Sequence, residues 1–335
     1  MTKFEDKFKE QFSNFNIDSI KEPSEAKNIY HIYADYIELL SLFSKDPISK
    51  SDISSRIGIS ENSYKEIEDE KLDGDFGETV SEIADKKESL IDILFDYLNE
   101  RKNSLNNFYP FIIDKKSIKL KNENLNKMEQ LYIFLLLSSS LKDFKKIGSI
   151  LTTEFELISE YALKRYLPSN AIVRALGSST YYKGNAKTKI EILAKELNVE
   201  TKNRAIKQIS DKNTKEEGLD IIGWIPFNDN NPNSIIILGQ CACGKEWDGK
   251  QMETRRYENF LESYKHPFLH ALFMPYLLSK KGRFEHDKDI VNDILIFERK
   301  RILELLNFQD LNNEKTLNFD KLIQECLKYK ETDIL

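Results

Sequence analysis

The chain has 335 residues, of which 40% are hydrophobic and 32% charged, with a net charge of −6. That is enough apolar material for one large core or two smaller ones and excludes a wholly disordered chain. The acidic balance also excludes a bulk polycation, so any grip on nucleic acid has to come from local basic patches.

In chain order, the N-terminal half reads as helical. Ile29, Ile32, Tyr33, Tyr36, Ile37, Leu40 and Phe43 recur at helical spacing, as do Leu90, Ile93, Leu94 and Leu98. Leu131 to Leu141 predicts a more buried helix, and Glu154 to Tyr166 another that stops before Pro168. Tyr109-Pro-Phe-Ile-Ile and Ser117-Ile-Lys-Leu are the strand-like stretches of this half, and Glu68 to Asp75 is an acidic loop. Pro47 to Ser60 resembles the opening of a helix-turn-helix, with Ser49 or Ser51 as cap and Gly58 at the turn. A plain capped helix is the commoner reading of such a segment. The opening Met1-Thr-Lys-Phe-Glu-Asp-Lys has no apolar signal core, and no apolar run is long enough to span a bilayer. Three cysteines, Cys241, Cys243 and Cys326, suit a reducing compartment, so a cytoplasmic protein without a membrane segment is expected.

After Pro168 the pattern changes to mixed α and β. Asn185 to Leu197 places Ala186, Ile190, Leu193 and Leu197 on one helical face. Gly218-Leu-Asp-Ile-Ile-Gly-Trp-Ile-Pro-Phe227 and Ser234-Ile-Ile-Ile-Leu-Gly-Gln-Cys-Ala-Cys-Gly-Lys-Glu-Trp247 then read as two strands joined by the turn-rich Asn228 to Asn233. The continuous Ile235 to Leu238 run suits a strand covered on both faces. Pairing Phe227 with Ser234 sets Ile221 opposite Gln240, and a shift of one residue brings Asp220 level with Gln240. A helix is expected from Gly244 onward, and another starting at Pro267 and containing His270. Polar side chains at such strand ends sit at the rim of a covered sheet, where ligands bind.

These residues resemble the core of the PD-(D/E)xK restriction-endonuclease-like nucleases, and a branch of bacterial anti-phage defence proteins in which Gln replaces the second acid. The resemblance is best between Ala175 and Lys265, with Ile294-Leu-Ile-Phe-Glu-Arg-Lys-Arg-Ile as a downstream element. It implies an α+β chain: a mainly helical N-terminal domain over 1–167, for docking a partner or DNA, and a nuclease-like α/β core with C-terminal helices over 168–335. It also implies Mg²⁺- or Mn²⁺-dependent hydrolysis of phosphodiester bonds, with Asp220 as metal-binding aspartate and Gln240 at the position of the second acid. The motif's lysine position is Ala242. Lys245, just past the strand, is the first substitute, and Lys250 the second. Glu191, with Glu196 behind it, is the candidate for a helical carboxylate completing the metal site.

Other groups carry weaker readings. Cys241-x-Cys243 with His266 and His270 offers four zinc-type donors, but the cysteine spacing is one short of the usual structural motif, which favours free thiols. Lys183, Lys187, Lys189, Arg255, Arg256, Lys280, Lys281 and Arg283 can grip phosphates if they share a face. The expected function is a DNA nuclease, the effector of an anti-phage system held in check by a regulatory or sensor subunit. The alternative, motivated by Gln240 and Ala242, is an inactive nuclease-fold subunit that binds nucleic acid or acts as a scaffold. A transcription regulator using the segment after Pro47 has least support.

Overall fold

The computed structural model describes residues 3–13, 15–20, 29–57, 80–122, 124–177, 181–213, 217–227, 229–244, 246–262, 266–284, 290–291, 293–306, 311 and 317–330. The fold is mixed α+β. The helices described first are α1 Lys3–Phe12, α2 Ile29–Phe43, α3 Lys50–Arg56, α4 Val80–Leu105, α5 Lys127–Ser138 and α6 Gly148–Tyr166. Among them lies a small antiparallel sheet of β1 Ile48–Ser49, β3 Ser117–Leu120 and β2 Phe111–Ile113, in that order. Helix α5 is apolar all round because it is central: Leu131 through Leu137 are fully buried. Asn126 caps it by accepting from the Met128 and Glu129 N–H groups, while Glu129 returns a bond to the cap. Ser49 caps α3 in the same way, with Asp52 completing the box. Gly58, the proposed turn of the helix-turn-helix, and the acidic loop Glu68 to Asp75 lie outside the described residues.

The second sheet has five strands in the order β10 Ile294–Phe297, β7 Leu269–Phe273, β6 Ile235–Cys241, β5 Ile221–Ile225 and β4 Ile172–Ala175. Strands β4, β5 and β6 run antiparallel, while β7 and β10 run parallel to β6. As the Ile235 to Leu238 run predicts, β6 is covered twice. Ile237 packs into the apolar cluster that contains α5 and α6, and Ile236 and Leu238 pack into a second cluster around helix α7 Ala186–Glu196. Ile221 stands opposite Gly239, so Asp220 is level with Gln240, the shifted alternative of the two registers. This register keeps Ile222, Trp224, Ile236 and Leu238 on one face and Ile221 and Ile237 on the other; a slip of one residue would exchange the sets facing α6 and α7.

Helix α6 lies directly on this sheet. A Cβ on Gly223 would stand 2.9 Å from Leu167 Cδ1 and 3.0 Å from Leu163 Cδ2, so a side chain there would lift the helix off β5. Leu167 is already extended (φ −87°, ψ 158°), as the residue before Pro168 must be. Short elements complete the fold: α8 Asn203–Gln208, α9 Trp247–Lys250, the hairpin β8 Ser279–Lys280 and β9 Arg283–Phe284, α10 Arg299–Leu305 and α11 Phe319–Leu327.

Two expected helices are corrected. The one predicted from Gly244 is a single turn, α9, followed by a 3₁₀ segment over Glu253–Asn259. Gly249 lowers helix propensity there, and the Asp248 side chain takes the Gly249 N–H at 2.9 Å. The one predicted from Pro267 is strand β7, with His270 in mid-strand, because its side chains are buried between two parallel neighbours.

A buried ionic cluster ties the helices to the sheet. Arg299, at the start of α10, donates through Nη2 to Asp35 Oδ2 at 2.7 Å and through Nε to the Pro275 carbonyl at 2.7 Å. Arg101 of α4 reaches Asp35 Oδ1 at 2.7 Å, and the Tyr109 and Tyr132 hydroxyls donate to Glu38 at 2.8 and 2.7 Å. Burial alone would push the Asp35 carboxyl up, but Arg299 and then Arg101 overcome this and hold it at about 2. Arg299→Met is expected to cost about 3–5 kcal/mol in urea unfolding at pH 7, because it strands the Asp35 and Glu38 charges in the interior. Asp35's folded value is depressed, so its contribution is fully present above about pH 4 and fades as the pH falls toward 2. Unfolding curves of wild type and Asp35→Asn over that range check the sign.

Candidate functional site

The site forms where the β5–β6 ladder ends. The Asp220 N–H donates to the Gly239 carbonyl at 3.0 Å, and the Asp220 carbonyl accepts from Leu176 N–H at 2.7 Å. Both neighbouring strands thus hold its backbone. Its side chain replaces the next rung, since Asp220 Oδ2 accepts the Cys241 N–H at 2.7 Å. The carboxylate therefore has one oxygen fixed by a charge-assisted bond. Gln240, level with it, is 7% exposed; its Nε2 reaches the Cys241 carbonyl at 3.4 Å, while its Oε1 is buried with no hydrogen-bond partner among the described residues.

A second carboxylate comes from α6. Glu156 lies beside Gly177, just past β4, where a Cβ would stand 3.1 Å from Glu156 Oε2. Glycine at 177 leaves room for that carboxylate near Leu176, whose N–H binds Asp220. Glu156, Asp220, Gln240 and Lys250 line one cavity of about 480 Å³, with Phe155, Cys241 and Cys243 among its walls. Lys250 is paired with Glu253 at 2.8 Å.

Of the predicted residues, the fold brings together Asp220, Gln240 and Lys250. Lys245 lies outside the described residues. Glu191 is exposed on α7, a helix packed in the cluster of Ile222 and Leu238, and does not line the cavity. Glu196 likewise stays on that helix and accepts from the Tyr182 hydroxyl. The helical carboxylate at the cavity is Glu156, which sequence reasoning missed. Its signal was present, since α6 immediately precedes β4 and Glu156 follows Phe155 of its buried stripe. Ala242 is buried against the cluster of Trp247 and Leu272, so the motif's lysine position holds a small apolar side chain facing the core.

The thiols are wall rather than ligands. Burial raises Cys241 well above its ordinary value, with the Asp220 and Glu156 charges adding to it; Cys243 is raised by burial, then by Glu156 and Asp220. His270 uses both ring nitrogens, Nδ1 with Thr254 Oγ1 and Nε2 with Glu258 Oε1, each at 2.9 Å. No group of three or more His, Cys, Asp or Glu side chains suited to a metal ion occurs among the described residues. A divalent cation at the cavity would draw on two carboxylates and the unsatisfied Gln240 oxygen. That set fits Mg²⁺, which binds through one or two carboxylates and completes its octahedron with water and substrate phosphate oxygens. No helix among the described residues is long and apolar enough to cross a membrane.

Comparison with known proteins finds no matching family model, no similar curated protein and no similar solved structure.

The thiol environment has a direct consequence. At pH 8 in the native protein, Cys243 and Cys326 are expected to resist iodoacetamide, because they are buried and burial raises their thiols, while the half-buried Cys241, also raised, should label slowly. Mass spectrometry should show full labelling only after unfolding in urea.

Proposed function

We propose that the protein is a divalent-metal-dependent nuclease that hydrolyses phosphodiester bonds of DNA and serves as the effector of a bacterial anti-phage defence system. The observation that carries this reading is the buried, unsatisfied Gln240 Oε1 beside the fixed carboxylate of Asp220, at a cavity that Glu156 also enters. A buried carbonyl oxygen without a partner costs about 1–3 kcal/mol, and a bound cation is a standard way to satisfy one. The restriction-endonuclease-like core is supported by the register, which sets the entry of β5 level with the end of β6.

In this reading Asp220, Glu156 and the Gln240 carbonyl hold Mg²⁺ or Mn²⁺. The ion, when bound, lowers the pKa of a coordinated water and offsets charge on the phosphate. Cys241 N–H keeps the Asp220 carboxylate aimed into the cavity, and Cys241, Cys243 and Phe155 form its less polar wall. Lys250 supplies the cation missing at Ala242, with Glu253 holding its ammonium group until substrate phosphate competes for it. The attacking water would give up a proton to solvent as its oxygen bonds to phosphorus and one P–O ester bond breaks, and the leaving oxygen would take up a proton from solvent. The alternative, an inactive nuclease-fold subunit acting as nucleic-acid-binding or scaffold protein, is favoured by the apolar burial of Ala242. A regulatory or sensor subunit fits either reading.

Cleavage of plasmid DNA, linear DNA and RNA with Mg²⁺ or Mn²⁺ decides between them. Asp220→Ala and Glu156→Ala are each expected to lower the rate by about 10²–10³ or more. Lys250→Ala should lower it by about 10–10² through weaker phosphate stabilisation, and Glu191→Ala should leave it unchanged. A wild type that cuts nothing with any metal or co-purifying partner would leave the scaffold reading.

A further inference from the structure

The parallel strands β6, β7 and β10 end at the same rim, since Gln240 is level with Leu272 and Leu272 with Ile296. The rim position of β10 is therefore two strand spacings from Gln240, about 10 Å along the sheet edge. Just beyond it a second cavity, of about 510 Å³, is lined by Ser279, Arg283, Glu298, Lys300, Arg301 and Glu304. Three cations from two segments line it: Arg283 of the β8–β9 hairpin, and Lys300 and Arg301 from the start of α10, whose neighbour Arg299 is buried in the ionic cluster.

The cations at this cavity differ in how they are held. Arg301 is fixed on one side, donating from Nη1 to the Ile296 carbonyl at 2.7 Å with its guanidinium 4.6 Å from the Phe284 ring centroid. Lys300 has only a long contact with Glu304, 3.8 Å, and Arg283 is exposed and makes no ion pair among the described residues. The Glu298 carboxylate is buried in the cavity wall, accepting from Leu278 N–H at 3.3 Å and the Ser279 hydroxyl at 3.1 Å, so its oxygens are already engaged. A strut joins the two cavities: the Tyr276 hydroxyl donates to the Cys243 carbonyl at 3.0 Å, and the same loop leads directly to Ser279.

We infer that this basic cavity is a phosphate-binding subsite that holds the nucleic-acid backbone next to the cavity of Asp220. In a chain of net charge −6, three cations against the Glu298 and Glu304 carboxylates leave this cavity with a small local excess of positive charge. At a rise of 3.4 Å per nucleotide along one strand, the ~10 Å between the β6 and β10 rim positions corresponds to about three nucleotides, so the proposal has one strand running along this rim. The contacts go to phosphate and position the substrate without reading its sequence. The inference rests on the nuclease reading for the identity of the polyanion.

The test is fluorescence anisotropy of a labelled 20-base-pair duplex in EDTA, titrated over roughly 50–200 mM NaCl, where phosphate contacts are read from the salt dependence. Wild type is compared with Arg283→Gln/Lys300→Gln and with Glu304→Gln. The double variant is expected to bind about tenfold or more weakly and to lose about 2 from the slope of log K against log salt. Glu304→Gln, which removes an exposed negative charge, should bind more tightly. Unchanged affinity and slope in the double variant, or no duplex binding by wild type, would overturn the inference. Wild-type cleavage with Mg²⁺ is scored separately. Cleavage with a double variant that binds normally sinks the subsite and leaves the nuclease reading, whereas salt-dependent binding lost in the double variant, without wild-type cleavage, leaves the subsite and sinks the nuclease.

Discussion

Arg299 is the constraint on which the arrangement depends. It sits where β10 ends and α10 begins, with its whole side chain buried, and such a charge is tolerated only when its donors are satisfied. Asp35, Ser139, Tyr132 and the Pro275 carbonyl satisfy them, and Arg101 shares the two carboxylates Asp35 and Glu38 from the other side. Three helices of the N-terminal half are thereby fixed to the rim of the five-stranded sheet. Apolar packing alone would allow these helices to slide; directional bonds to a planar guanidinium select one orientation. The loop through Pro275 and Tyr276 is held between this cluster and the Cys243 carbonyl, so the rim that carries both cavities is stiff at its base.

The candidate site shows how a sheet edge can be turned to chemistry. A strand pair normally continues its ladder until it meets solvent. Here Asp220 interrupts it by taking the Cys241 N–H with a side-chain oxygen, which orients the carboxylate and exposes a polar end between two covered faces. Glu156 approaches from the helix above, and the small residue at 177 makes that approach possible. Gln240 contributes an oxygen that nothing among the described residues satisfies. Folded proteins satisfy most such atoms with protein groups, ordered water or an ion.

Charge distribution adds a second layer. The acidic groups of the cavity would repel a polyanion, and the chain as a whole is acidic, so a phosphate backbone needs a local attraction to approach. The cations around Arg283 and Lys300 lie on the same rim, on the far side of the Tyr276 loop. Carboxylates at one end and cations at the other is the division that the proposed nuclease reading would use.

Much of the fold was legible in the sequence because it follows from short-range rules. The helical spacing of Ile29 to Phe43, the apolar face of Asn185 to Leu197, the break at Pro168 and the double-sided burial of Ile235 to Leu238 are each set by neighbours a few residues apart. Asp220 and Gln240 could be named from their strand positions, since a period of two and one turn leave only two registers. The choice between those registers needed the second apolar face, which gathers Ile222, Trp224 and Leu238 under α7. Glu156 and Glu191 are both glutamates on amphipathic helices; only the tertiary packing of α6 against Gly223 brings the first to the cavity and leaves the second in solvent. His270 was misread as helical because a short apolar run has no period that separates a buried strand from a helix. The sequence by itself determined the elements and the chemical groups available, through local sterics and hydrophobic period; the tertiary structure alone decided which groups meet, because contacts between residues distant in the chain depend on packing that no local rule contains.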